Sequence, residues 1–246
     1  MIKKYLFAIA ALYAMSLSLA GCMTSSGTPL ATTTPAPTQT LTPSETGLHG
    51  EKALPPGQLD ELASAAEDIM VYAVNGDWAK AQQMVATIKM DLSSLESIFQ
   101  SAGVSSSLVD AIKKPLASLE QQVSAKNELD IKEQANQITK VIPDIYDYFK
   151  VTMPTDLGRL DYLGREVALN AQKGNWTVAG NSMSEIENVW ARLKPNLNNT
   201  ALRSAANFEA GVNALAIDVG NQDANAVATN SVALLYKVDV LGKAYG

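Results

Sequence analysis

The feature that most constrains the fold is a run of apolar residues spaced alternately three and four positions apart. Its members are Trp78, Ala81, Val85, Ile88, Leu92, Leu95 and Phe99. Because an α-helix turns once every 3.6 residues, these side chains lie on one face of a helix. Three further stripes have similar spacing. They consist of Leu59, Leu62, Ala66, Ile69 and Ala73, of Leu108, Ile112, Leu116, Leu119 and Val123, and of Ile131, Ala135, Ile138, Ile142, Ile145 and Phe149. No stretch alternates in the manner of a strand, so the sequence predicts an all-α protein.

The same pattern returns 98 residues further along the chain. The stripes that start at Leu59 and Trp78 are repeated without a gap from Leu157 and Trp176. The later stripes return less regularly, as Leu202, Ala205, Val212, Leu215 and Val219, and as Ser231, Leu234, Val238, Leu241 and Tyr245. Repetition of core positions indicates that one helical unit occurs twice.

Turns between the predicted helices recur about every 48 residues. They lie near Gly76, Asn127, Gly174 and Asn221. We therefore predict a tandem duplication of a four-helix up-down unit, with about eight helices in all. The predicted units span residues 56–152 and 153–246. Two bundles in tandem and one continuous eight-helix array both fit this pattern.

The start of the chain has the organisation of an export signal. Lys3 and Lys4 are followed by an uncharged apolar run of about 16 residues from Tyr5, which is short for a membrane span. The run ends in Leu-Ala-Gly-Cys, which resembles the lipobox of bacterial lipoproteins. The resemblance implies that residues 1–21 are a signal peptide. It also implies that Cys22 carries acyl chains such as palmitate, which anchor the protein on the extracytoplasmic side of a cell membrane, or on an outer membrane where the cell has one.

Cys22 is the only cysteine in the chain. A lone thiol is a liability in an oxidising compartment, and lipidation would remove it. The alternatives are a plain secretory signal followed by a free thiol, or an uncleaved anchor helix.

Residues 22–55 are dominated by Thr, Pro, Ser, Ala and Gly. Such a segment has too little apolar surface to offset the entropy lost on folding. We therefore predict a lipid-anchored disordered tether, with the single histidine, His49, near its end.

Charge and motif content restrict the possible functions. Without the two lysines of the signal, the net charge of −6 becomes −8, which argues against nucleic acid and against a polybasic contact with lipid. The sequence contains no metal-ligand spacing, no phosphate-binding glycine loop and no serine-histidine motif. We expect a protein that is not an enzyme and that holds no cofactor or metal.

The densest group of charges lies between residues 155 and 166. Arg159, Asp161, Tyr162 and Arg165 could line a pocket for a polar ligand between the two units. The alternative is an ordinary solvated helix face, on which exposed ion pairs contribute about 0–1 kcal/mol each.

Three tryptophans lie on the apolar stripes. Trp78 and Trp176 occupy equivalent positions, and we interpret them as rings that close the ends of a core rather than as platforms for a ligand. Trp190 continues a stripe and is predicted to be buried.

These observations favour a lipid-anchored, extracytoplasmic, non-catalytic module that binds an envelope protein or serves as a scaffold. The alternative is a receptor for a small ligand, or a transporter accessory, with its site between the two helical halves.

Overall fold

A computed structural model describes residues 51–245, and all regular structure in that range is helical. Its nine helices are α1 (Gly57–Val74), α2 (Trp78–Ser101), α3 (Ser106–Ala125), α4 (Glu128–Tyr146), α5 (Asp156–Gln172), α6 (Trp176–Leu193), α7 (Asn199–Leu202), α8 (Ala205–Gly220) and α9 (Ala224–Gly242). The prediction of an all-α protein is confirmed. The predicted signal peptide, Cys22 and His49 lie outside the described residues.

The helices surround two hydrophobic cores. In the first bundle, α1 packs on α2, α2 on α3, α3 on α4 and α4 back on α1. In the second bundle, α5, α6, α8 and α9 form the same closed ring. All members of the predicted stripes in α1 and α4 are buried in the first core. The two bundles meet where α4 packs on α5.

Neighbouring helices run antiparallel, as ion pairs between α2 and α3 illustrate. Lys89, in the first half of α2, lies 2.5 Å from Glu120 in the last part of α3. Glu96, near the end of α2, lies 2.6 Å from Lys113, nearer the start of α3. The connection between these helices is short, as expected for an up-down bundle.

Five helical hairpins close with the same backbone turn; at α2–α3, Gly103 has a φ of 75° and Val104 donates its N–H to the Phe99 carbonyl at 2.9 Å. At the other four turns the residue with a positive φ is Gly76 (68°), Lys126 (57°), Gly174 (73°) or Gln222 (56°). The next residue donates its N–H to the carbonyl five residues earlier, and these residues are Asp77, Asn127, Asn175 and Asp223. This bond satisfies a carbonyl at the helix end, and glycine adopts the left-handed conformation at least cost. The four turns coincide with the recurring turn positions predicted above.

The second half differs from the prediction at its third stripe. Asn198 accepts hydrogen bonds from the N–H groups of Thr200 and Ala201, at 3.0 and 2.8 Å, and begins the single-turn helix α7. Because α8 begins only at Ala205, Leu202 falls outside the stripe and is 48% exposed.

The three tryptophans differ in burial. Trp190 is buried as predicted, and its indole N–H donates to Glu209 at 2.9 Å. Trp78 and Trp176 begin α2 and α6 and are half-buried against the two cores. Rings that fully closed the ends of the cores, as predicted, would be more deeply buried.

Candidate ligand site

The contact between α4 and α5 contains many buried polar side chains. Lys132 has only 2% of its surface exposed and donates to Glu128 at 2.9 Å and to Gln172 at 3.4 Å. Asn136 is fully buried and donates to Glu166 at 3.0 Å. Because the contacts to Gln172 and Glu166 join α4 to α5 at two points along the helices, they fix the register of the two helices.

Arg165 lies in the middle of this contact and is 8% exposed. Its guanidinium donates to Asp161 Oδ2 at 2.6 Å, to Asn136 Oδ1 at 3.0 Å and to Thr139 Oγ1 at 3.4 Å. Glu67 Oε1, from α1, lies 3.4 Å from the same guanidinium. Arg165 therefore connects three helices and two bundles.

Glu67 and Asp161 share this one positive charge. Burial raises the pKa of the Glu67 carboxyl to about 8, against the opposing effect of Arg165, and the charge of Asp161 and its hydrogen bond to Glu67 add to the increase. Glu67 is therefore protonated at neutral pH, and its carboxyl O–H donates a hydrogen bond to Asp161.

A cavity of about 500 Å³ opens beside this cluster, between α1, α4 and α5. Glu67, Asp161, Arg165 and Thr139 form its polar wall. Its apolar walls include Ala63, Ile142, Pro143, Leu54, Val151 and Met153. Such a volume is within the range of small-ligand sites, which combine apolar walls with a few fixed polar groups.

The helices come close together at one edge of the cavity. A Cβ atom at Gly158 of α5 would lie only 2.9 Å from Pro143 Cγ of α4. Glycine at this position therefore permits the close contact that closes the cavity on that side.

The chain just before α1 forms the rim of the cavity. Lys52 donates its Nζ to the Asp147 carbonyl at 2.7 Å, and Ala53 accepts the backbone N–H of Lys150 at 2.8 Å. Residues that the sequence assigns to the tether thus contact the domain before Pro56.

The rim is apolar. Leu54, Val151 and Met153 are 75%, 36% and 45% exposed. Apolar side chains grouped at the mouth of a cavity are typical of a surface that receives another molecule.

The four residues predicted from sequence to line one ligand pocket do not all lie in the same cavity. Asp161 and Arg165 line the cavity described above. Arg159 lines a second cavity of about 470 Å³, where it lies 2.6 Å from Asp144 and 3.0 Å from Asp156. Tyr162 is buried, which raises its pKa, and the Nζ of Lys140 lies 5.5 Å from its ring centre.

The sequence did not predict that Glu67, on α1, forms part of the polar wall of the cavity. The available signal was the pair Ala63 and Glu67, which lie one turn apart beside the stripe of α1. A helix that carries partly buried residues beside its main stripe contacts a further neighbour.

Comparison with protein-family models, with curated proteins and with solved structures found no match to this chain. Within residues 51–245, no group of three or more His, Cys, Asp or Glu side chains is placed to hold a metal ion. None of the helices in this range has both the length and the apolar character needed to cross a bilayer.

Proposed function

We propose that this chain is a lipid-anchored, non-catalytic binding protein of a cell envelope, and that its helical domain takes a small ligand between the two bundles. The observation that supports this proposal most directly is the cavity of about 500 Å³ between α1, α4 and α5. A fully packed contact between the bundles would have favoured a scaffold role instead.

The charges at the cavity support binding rather than catalysis. Arg165 is held by Asp161, Asn136 and Thr139, and Glu67 is paired with Asp161. Polar groups that are fixed by one another are preorganised for recognition, since little entropy is lost when a ligand arrives.

The cellular location is proposed from the resemblance of residues 19–22 to a lipobox. A diacyl anchor at Cys22 and a tether between Cys22 and Lys52 would hold the domain near a membrane on the extracytoplasmic side. The two acyl chains would provide the anchoring, because two chains bind a bilayer far more stably than one.

We also propose that residues 56–152 and 153–246 arose by duplication of a four-helix unit. The two closed rings of helices and the four equivalent turns support this origin. The additional helix α7 would then be a later change in the connection between α6 and α8.

Replacing Cys22 with serine should prevent lipidation, because serine lacks the thiol that is alkylated. We expect the Cys22→Ser protein to be released from the membrane or to keep its signal peptide. Membrane fractionation and intact-mass measurement check both results, with the neighbouring Ser25→Ala variant as the control. A Cys22→Ser protein that is processed normally and remains membrane-bound would show that the lipoprotein assignment is wrong.

Filling the cavity should abolish ligand binding without unfolding the domain. Ala63 is partly buried and lines the cavity, so the ring in Ala63→Phe would occupy space meant for a ligand. Thermal-shift screening with small amphiphiles should find compounds that stabilise the wild-type protein but not Ala63→Phe. Ala79→Phe, on the exposed surface of α2, is the matched control and should retain the response. Equal responses in both variants would place the binding elsewhere and contradict the proposal.

A further inference from the structure

The guanidinium at the polar wall of the cavity is poorly placed to hold an anion. Arg165 already donates to Asp161, Asn136 and Thr139, and its remaining near neighbour is Glu67. An incoming carboxylate or phosphate would have to displace these contacts and approach the negative charge of Asp161. Charge repulsion of this kind disfavours an anionic ligand.

The carboxylates of Glu67 and Asp161 instead favour a cationic ligand. When Glu67 loses its proton, the cluster has two carboxylates beside one guanidinium and a net charge of −1. The other charged group acting on Glu67 is Asp68, on the same helix, which also opposes ionisation. From α4, the neighbours of Arg165 are the uncharged Asn136 and Thr139. The cavity wall is therefore complementary to a ligand with one positive charge.

A third acid lies further along the cavity. Asp60, on α1, accepts a hydrogen bond from the Tyr146 hydroxyl, and both residues line the cavity. Lys150 also lines the cavity, near the rim. The acids Asp60, Glu67 and Asp161 thus face the same space from two helices.

The rest of the cavity is suited to a hydrocarbon. Ala63, Ile142 and Pro143 form its walls, while Leu54, Val151 and Met153 extend the apolar surface out to solvent. Burial of apolar surface stabilises a complex, whereas a charged group must be paired to be buried. A ligand that satisfies both requirements has an apolar body and a cationic head.

We propose that the cavity binds an amphiphile with a primary ammonium head group, held by Glu67 and Asp161, and that binding releases the proton of Glu67 to solvent. This proposal rests on the proposed function of the cavity as a ligand site. No covalent bond forms: the ligand stays an ammonium ion, Glu67 becomes a carboxylate, and its proton passes to the buffer.

The test compares three probes that differ only in the head group: octylamine, octan-1-ol and octanoate. The full chain is reconstituted in lipid nanodiscs, and titration calorimetry is corrected with empty nanodiscs. Octylamine should bind most tightly. Because an alkylamine keeps its proton well above neutral pH, any proton released at pH 7 comes from the protein. Heats measured in buffers of different ionisation enthalpy should give close to one proton released per octylamine bound.

The pH dependence has a defined sign. Below the pKa of Glu67, about 8, each unit of pH increase should strengthen octylamine binding by up to about tenfold, because a proton must leave. Above that pKa the affinity should level off, since Glu67 is already ionised. Binding of octan-1-ol should not vary with pH in this range.

Two isosteric variants on α1 distinguish an effect of the Glu67 carboxyl from a general effect of removing an acid from this helix. Glu67→Gln removes the titrating group, so octylamine should bind more weakly, without proton release and without pH dependence. Glu61→Gln, at an exposed position of the same helix, should behave like the wild-type protein. If Glu67→Gln does not fold, the buffer series on the wild-type protein still tests the proposal.

The outcomes distinguish this proposal from the one it rests on. Tighter binding of octanoate or octan-1-ol, lost in Ala63→Phe, would overturn the ammonium ligand and keep the cavity as a ligand site. Octylamine binding without proton release would overturn the assigned role of Glu67. Failure of all three probes to bind the wild-type protein would overturn both proposals.

Discussion

Replacing Arg165 with alanine is expected to lower the free energy of unfolding by about 3–5 kcal/mol. Arg165 is 8% exposed and holds Asp161, Asn136 and Thr139 across the contact between the bundles. Its removal leaves Asp161 without its cation, and Asn136 Oδ1 keeps only the Thr139 hydroxyl, at 3.3 Å, as a donor. Buried polar groups that lose their partners account for most of such a loss. Urea unfolding followed by circular dichroism at pH 7 measures the change.

The control for this substitution is Arg203→Ala. Arg203 is exposed beyond α7, so its removal should change the free energy of unfolding by no more than about 0.5 kcal/mol. A loss below about 1 kcal/mol in Arg165→Ala would mean that the Arg165 contacts contribute little to stability.

Phe208→Ala should destabilise the second bundle by a similar amount, about 3–5 kcal/mol. Phe208 is completely buried in the second core, and its ring centre lies 4.4 Å from that of Trp190. The substitution leaves a cavity and removes an aromatic pair, which contributes beyond its buried area. Urea unfolding monitored by tryptophan fluorescence reports the loss.

A matched substitution on the same helix provides the comparison. Ile217 of α8 is 63% exposed, so Ile217→Ala should have almost no effect on unfolding. Equal effects of the two substitutions would mean that α8 does not face the second core as described.

Local patterns predicted the helices well because packing restricts residue type at buried positions. The stripe from Ile131 to Phe149 is buried throughout, and Asp77 caps α2 by accepting the N–H of Lys80 at 3.2 Å. The same approach placed Leu202 on an apolar stripe, but the residue is 48% exposed. A pattern of spacing cannot detect that Asn198 starts a separate turn and shifts the start of the next helix.

The candidate site was predictable only in part. Asp161 and Arg165 stood out as a charged pair one turn apart, but their surroundings depend on Glu67, 94 positions before Asp161 in the chain. Contacts over such distances leave no trace in helical periodicity. The burial of Arg165 was also not evident from the sequence. In a single bundle one face of each helix is exposed to solvent, but that face of α5 is covered by the other bundle.

The hydrophilic contact between α4 and α5 also affects how the protein behaves when its bundles separate briefly. An apolar surface that becomes exposed when domains separate promotes aggregation. Here, opening would expose Lys132, Asn136, Thr139 and Arg165, side chains that water hydrates readily. Transient separation would therefore expose hydrated polar groups in the middle of this contact, and reclosure would require the same set of directional bonds to form again.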